Sequence, residues 1–116
     1  MDTPARTPSK GFYYHYKHDP NGPIDNYAYE VMGVGHHTED DCRPDDAYMV
    51  VYRPLYKEAS VYKAGKLFDL RPLEMFLEEV TKDGKTFPRF MKIIDPAVIA
   101  HLEKVKEEMY QTQKYW

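Results

Sequence analysis

The sequence predicts a mostly β (α+β) domain, a small antiparallel β-barrel of about five strands that carries one α-helix at its C-terminal end. Short aromatic segments alternate with Pro, Gly and Asp turns between residues 11 and 93, a spacing typical of antiparallel strands. Aromatic residues make up 15% of the chain, and such residues favour half-buried strands. The last segment, after Asp95, has the periodicity of a helix instead.

The first four predicted strands are rich in aromatic and β-branched residues. They span residues 11–18, 27–37, 47–53 and about 61–71. A turn at residues 63–66 could interrupt the fourth. Gly33 and Gly35 lie inside the second and predict a bulge or sharp coil there. Residues 38–46 form an acidic loop. Pro54 should end the third strand, because proline cannot donate to a strand ladder.

The segment of residues 73–80 fits either a helix or a strand. Its apolar residues have helical spacing, but eight residues are few for a helix. Asp83-Gly84 is a strong hairpin signal. We therefore predict a short turn near Pro72, followed by a hairpin around Asp83-Gly84.

The C-terminal helix has a start signal that depends on no other element. Asp95 can cap the helix and Pro96 suits its first position. An apolar stripe follows at helical spacing, formed by Val98, Ile99, Leu102, Val105 and Met109. We predict a helix to about Gln113 that packs on its own barrel, with a homodimer contact as the second choice.

Size and charge limit the classes of protein that the chain can represent. The 116 residues fit one domain with one modest core. A net charge of −3 argues against a general electrostatic grip on duplex DNA. Residues 1–10, which we expect to be flexible, hold no signal-peptide core, and no apolar run has membrane-spanning length. The single Cys42 excludes an intrachain disulfide, and we expect a cytoplasmic protein without membrane contact.

Six segments, taken in order, resemble the DUF1653 family of small bacterial proteins. They are GFYYHYK (11–17), YEVMGV (29–34), HTE (37–39), VVYRPLY (50–56), RPLEMF (71–76) and DGKTFPRF (83–90). The resemblance covers residues 11–93 and implies a compact barrel-like module, which we take as SH3-like. It implies no established activity.

The chain departs from the family pattern in three places. The loop of residues 19–26 is longer than usual. Phe68 stands where tryptophan is more typical. Residues 94–116 extend beyond the usual end of the domain, so the C-terminal helix is an addition to it.

Polar and tyrosine side chains near predicted strand ends form the candidate ligand site. They are His15, Lys17, His37, Glu39, Tyr52, Arg53, Tyr56 and Arg71. Strand ends often surround a common mouth, so we expect His15, His37, Arg53 and Arg71 to reach one concavity. A His-Glu pair beside Lys and Arg could orient an imidazole and bind an anionic or carbonyl group. The alternative is a set of surface ion pairs of little energetic value.

Other site chemistries find little support in the sequence. Cys42 lies among carboxylates, which should raise its pKa and weaken it as a nucleophile. Gly33-Val34-Gly35 is too short for a phosphate-binding loop. His36 and His37 are adjacent and point to opposite faces of a strand, and no Cys or His pair has zinc-site spacing. We therefore expect no metal and no cofactor.

Three functions remain open. The first is a binding module for a small anionic or nucleobase-like ligand, or for single-stranded RNA, in which tyrosines stack on the base. The second is an acid-base enzyme that uses His37 with Glu39 and has arginines as anion clamps. The third is an interaction module whose C-terminal helix docks on a partner. An exposed tyrosine groove favours the first, a pocket with His37 at its floor the second, and an exposed helix stripe the third.

Overall fold

The structure, a computed structural model, describes residues 7–39, 41–65 and 68–110. Seven strands in these residues form two antiparallel sheets. The larger sheet contains β1 (Gly11–His15), β2 (Ala28–His36), β3 (Tyr48–Pro54), β4 (Asp69–Pro72) and β7 (Phe90–Lys92). The smaller sheet pairs β5 (Glu79–Lys82) with β6 (Lys85–Pro88). The helices are α1 (Ser60–Lys63), α2 (Leu73–Phe76) and α3 (Pro96–Tyr110), with a 3-10 turn at Pro44–Asp46.

The larger sheet is open in the part of the chain that the structure describes. Its strand order is β4-β3-β2-β1-β7, so β4 and β7 are edges that do not pair with each other. The mostly β architecture with a C-terminal helix is therefore confirmed. The closed SH3-like barrel is not, because closure would require those two edges to meet.

A bulge in β2 confirms the expectation drawn from its glycines. Val31 pairs with Tyr52 and Gly33 with Val51, so Met32 is an extra residue on β2. Val31 and Val34 consequently pack against the same cluster, although strict alternation would place them on opposite faces. The bulge thus resets which residues face each side of the sheet.

Two central segments differ from the predictions. Residues 61–71 were expected to be extended, with a turn at residues 63–66 as the alternative, but residues 60–63 form α1 and β4 is the extended part. The chain leaves α1 through Ala64 in helical conformation and Gly65 at φ +139°, which ends the helix before any strand starts. Residues 73–80 divide into the helical turn α2 and the first half of β5.

The hairpin around Asp83-Gly84 is confirmed. Lys82 pairs with Lys85, and the two turn residues have φ of 54° and 76°. Positive φ at both central positions defines a type I′ turn, whose twist matches that of the flanking strands.

The two faces of the larger sheet are covered by different elements. One face, the helix face, packs under α3 and includes Phe12, Ala28 and Leu55. The other, the tyrosine face, packs against α2 and includes Tyr13, Val31, Val50, Tyr52 and Phe90. Neighbouring residues such as Phe12 and Tyr13 therefore enter different halves of the core, because successive side chains of a strand alternate.

Helix α3 begins and packs as its sequence predicts. The Asp95 Oδ1 accepts a hydrogen bond of 2.9 Å from the Ala97 N–H, which caps the helix. Leu102 and Met109 are completely buried, and the remaining residues of the stripe pack against the same cluster. The helix thus covers its own sheet. Its predicted end at Gln113 lies outside the described residues.

None of the helices in the described ranges is long and apolar enough to cross a membrane.

Candidate functional site

The structure places the predicted site residues in three separate regions. His15, Tyr52, Tyr56 and Arg71 meet on the tyrosine face, and the exposed Lys17 follows two residues after His15. Arg53 lies on the helix face, and His37 and Glu39 lie at the far end of β2. The single concavity expected for His15, His37, Arg53 and Arg71 does not form.

Arg53 holds α3 on the sheet and faces away from Tyr52. Its Nε donates to Glu30 Oε1 at 2.9 Å, and Glu30 Oε2 accepts from Lys106 Nζ at 3.1 Å. The Arg53 guanidinium also lies 3.9 Å from the centre of the Tyr110 ring. Arg53 and Tyr52 are consecutive residues of β3, so their side chains must point to opposite faces.

His37 and Glu39 make a local turn at the other end of β2. The His37 N–H donates to the Ala47 carbonyl at 2.8 Å, and the Glu39 N–H donates to His37 Nδ1 at 3.2 Å. The contact that the structure gives this pair therefore uses the backbone of Glu39. His15, by contrast, donates its N–H to the Tyr27 carbonyl. The length of β2, roughly 30 Å at 3.3 Å per residue, separates the two histidines.

On the tyrosine face, the ring of His15 and four aromatic rings form a closed circuit of contacts. Neighbouring ring centres lie 5.1–5.9 Å apart in the order His15, Tyr27, Tyr56, Tyr29, Phe90 and back to His15. Tyr27 is 38% exposed and has a φ of 53°, a left-handed conformation that is rare for a bulky residue. Such strain is often kept where a side chain must be held in a particular position. The rings thus offer an aromatic surface that is partly open to solvent.

The tyrosine hydroxyls next to this circuit are hydrogen-bonded and stay protonated at neutral pH. The hydroxyls of Tyr29 and Tyr56 lie 2.6 Å apart. The Tyr52 hydroxyl accepts from Arg71 Nε at 3.1 Å. Burial raises the pKa of all three tyrosines above its usual range, since a charged phenolate loses more hydration than a neutral phenol does.

Arg71 is the fixed cation of this region. Its hydrogen bond to Tyr52 orients the guanidinium, which lies 5.7 Å from the centre of the Phe90 ring. Its backbone pairs with Val50, so the side chain leans along β3 towards Tyr52 and the His15 end of the sheet. Within the described ranges, no carboxylate oxygen lies within 4.0 Å of an Arg71 nitrogen.

His15 is a neutral donor beside Arg71. Its Nδ1 accepts a hydrogen bond of 3.2 Å from the Lys17 N–H, so the proton of the neutral ring belongs on Nε2. Burial, with the charges of Arg71, Lys17 and Arg89, lowers the pKa of His15 to about 4. At pH 7 the imidazole therefore carries no charge and can donate one hydrogen bond through Nε2.

Asp69 and Arg89 complete the charged groups of the region, and neither was among the predicted residues. Asp69 pairs with Tyr52 across β3 and β4 and precedes Arg71 by two residues, so both side chains share one face. Burial raises the pKa of Asp69, although Arg71 opposes this effect. In the described part of the chain, the buried Nε of Arg89 has no hydrogen-bond partner.

We call the group of His15, Tyr27, Tyr56, Asp69 and Arg71 the Arg71 site. Its members come from four parts of the chain, which β1, β3 and β4 bring together. Asp69 could have been found by counting alternate residues back from Arg71 in the fourth predicted strand. The left-handed backbone at Tyr27 has no comparable signal, because tyrosine does not favour that conformation.

A concave surface lies along β7 and the start of α3. This open groove has a volume of about 550 Å³, and its walls include the exposed Met91 and Ile94. It shares His15 with the Arg71 site, but no arginine lines it. An anionic ligand is therefore better matched by the Arg71 site. Across the described ranges, no three His, Cys, Asp or Glu side chains are grouped to hold a metal ion.

Comparison with curated proteins and with solved structures finds no match to the chain. A family model matches residues 11–92. This segment contains every strand described above and the whole Arg71 site, whereas α3 begins after it. The chain therefore belongs to the DUF1653 family, whose description is a protein of unknown function.

Proposed function

We propose that the chain is a binding module for a small anionic ligand with a flat ring, such as a nucleotide, and that the Arg71 site holds it. The observation that carries the proposal is the Arg71 guanidinium itself. It is oriented by Tyr52, lies next to the ring of Phe90, and has no ion-pair partner among the described residues. A fixed cation that no carboxylate contacts suits an anionic ligand.

The anionic group of the ligand would be bound by Arg71 and His15. The planar guanidinium can give two parallel hydrogen bonds to a phosphate or carboxylate. The neutral His15 ring adds a donor through Nε2. Lys17 and Arg89 add positive potential, since both charges act on His15. A half-buried position makes these interactions stronger than they would be in open water.

The flat ring of the ligand would stack on Tyr27 and Tyr56. Their ring centres lie 5.8 Å apart, and Tyr27 is one of the more exposed aromatic residues. Stacking of a base on an aromatic side chain contributes about 1–3 kcal/mol. The Tyr27 ring already packs against His15 and Tyr56, so it loses little side-chain freedom when a ligand stacks on it.

The two other functions lose the observations that would favour them. His37 lies in a backbone turn with Glu39, at the opposite end of β2 from Arg53, and a His15 ring with a pKa of about 4 is a weak base at neutral pH. The apolar stripe of α3 is buried against its own sheet. The geometry therefore supports ligand binding better than catalysis or docking of the helix. For such a ligand we also propose a cytoplasmic location, which the single Cys42 suits.

The test is a titration with the four ribonucleoside monophosphates. Binding is monitored through the backbone amide chemical shifts and by calorimetry. The largest shifts should fall at His15, Tyr27 and Arg71. Arg71→Gln should weaken binding about tenfold, equal to about 1.4 kcal/mol. Arg43→Gln removes an exposed arginine of the acidic loop and should leave binding unchanged. Arg71→Lys keeps the charge but lacks the planar fork, so binding should also weaken.

Two results would decide against the proposal in this form. If no nucleotide shifts these amides at millimolar concentration, or if Arg71→Gln binds as tightly as the wild type, the site is not a nucleotide site. A short single-stranded RNA serves as a second probe. If its affinity rises with length and falls steeply with salt, the ligand is a strand and not a free nucleotide.

A further inference from the structure

We infer that Asp69 selects the base, and that the preferred ligand presents two neighbouring N–H donors, as guanine does. This inference rests on the function proposed above and specifies the ligand of the same site. It assigns separate tasks to the two charged residues of β4, with Asp69 binding the base edge and Arg71 binding the anionic group.

The position of Asp69 provides the first argument. It lies directly across from Tyr52 and on the same face as Arg71. Its side chain is only partly exposed, and in the described part of the chain its carboxylate has no hydrogen-bond or ion-pair partner. Its oxygens are not among the buried polar atoms that lack a partner in the described residues, so water can serve them in the free protein. A ligand can replace that water with fixed donors.

The neighbouring hydroxyls are already engaged with other groups. Tyr29 and Tyr56 are bonded to each other, and the Tyr52 hydroxyl accepts from Arg71. These hydroxyls therefore do not compete for Asp69, and a ligand can supply donors that the described residues do not. An ionised carboxylate only accepts hydrogen bonds, and its two oxygens match two parallel N–H groups.

Among the common bases, this pattern identifies guanine. Guanine has an N1–H and an exocyclic amine side by side, whereas each of the other bases places an acceptor beside its donor. A carboxylate would meet that acceptor with repulsion. A site built to pair with donors also discriminates strongly against a ligand that lacks one of them, because a buried polar group is then left unpaired.

The width of the sheet allows one nucleotide to reach both ends of the site. Asp69 lies on β4 and His15 on β1, with β3 and β2 between them. Three strand spacings amount to roughly 14 Å across the sheet. Asp69 lies level with Gly11, so the four residues from Gly11 to His15 add roughly 13 Å along β1. The diagonal between the two backbones is therefore roughly 19 Å, and both side chains extend into that span. Arg71 leans from β4 towards His15. An extended nucleoside monophosphate could thus place its base at Asp69 and its phosphate at Arg71 and His15.

The experiment compares GMP, IMP and AMP on the wild-type protein. IMP lacks only the exocyclic amine of GMP, so it removes one of the two donors without changing the phosphate or the ring. We expect GMP to bind about tenfold more tightly than IMP or AMP. Asp69→Asn should abolish this preference and leave the affinity for AMP unchanged or higher. Asp41→Asn, in the exposed acidic loop, should preserve the preference.

Failure of the inference and failure of the proposed function give different results. Equal binding of GMP, IMP and AMP to the wild type would overturn the role of Asp69 and leave the nucleotide site standing. No binding of any of the three would overturn both. The comparison of GMP with IMP needs no variant, so it remains decisive even if Asp69→Asn does not fold.

Discussion

Replacing Glu30 with Gln tests how firmly α3 is held on the sheet. The Glu30 carboxylate accepts from Arg53 at 2.9 Å and from Lys106 at 3.1 Å. The side chains of Glu30 and Arg53 are only 12% and 13% exposed. Gln keeps the shape of the side chain but removes its charge, so the change removes the carboxylate that Arg53 and Lys106 share.

The expected loss of stability follows from the burial of each partner. Removing one member of a buried ion pair costs about 3–5 kcal/mol. Gln retains one acceptor oxygen, which reduces this loss, and Lys106 is 31% exposed, so its part is screened by water. We therefore expect a loss of about 3 kcal/mol in the free energy of unfolding. For a domain of this size, that lowers Tm by roughly 10–15 °C.

Thermal unfolding followed by circular dichroism measures this change, and Glu103→Gln is the matched control. Glu103 contacts the same lysine at 3.5 Å, but its side chain is 55% exposed. Removing its charge should cost less than about 0.5 kcal/mol. If both variants melt within about 2 °C of the wild type, the buried carboxylate does not anchor α3 and the reasoning fails.

Three further tests address the burial of Leu102, the pH dependence due to His15 and the role of Tyr27. Leu102→Ala should cost about 2–5 kcal/mol in urea unfolding, because the leucine is fully buried; a loss below about 1 kcal/mol would show that α3 is not seated on the sheet. The pKa of His15 is lowered from 6.5 to about 4, so wild-type stability should fall as pH drops through that window, where the unfolded chain binds the proton first; His15→Gln should reduce this slope, and an unchanged slope would contradict the burial of the ring. Tyr27→Asn should keep or raise Tm, because Asn adopts positive φ more readily, but should weaken nucleotide binding; a lower Tm with unchanged binding would oppose both expectations.

Local signals predicted the elements that local chemistry determines. The Asp95-Pro96 cap, the stripe of α3 and the Asp83-Gly84 turn all involve residues close in sequence, and each was confirmed. Closure of the sheet depends instead on whether β4 and β7 meet. These strands are separated along the chain by α2 and the hairpin of β5 and β6, and no local pattern encodes their pairing.

Only part of the candidate site was predicted, because contacts between residues distant in the sequence also decide which side chains meet. Tyr52 and Arg53 are neighbours in one strand, so strand alternation already predicts that their side chains point to opposite faces. The length of the second predicted strand similarly placed His37 away from His15. The lean of the Arg71 side chain, by contrast, depends on the hydroxyl of Tyr52. Such a contact between distant residues is visible only once the strands are assembled.

The position of α3 gives the family boundary a physical meaning. The matched segment ends at residue 92, yet Leu102, Met109 and Tyr110 supply one wall of the core beneath Phe12 and Leu55. A fragment cut at that boundary would keep the whole matched segment. It would expose the apolar surface around Phe12 and Leu55, which would favour self-association.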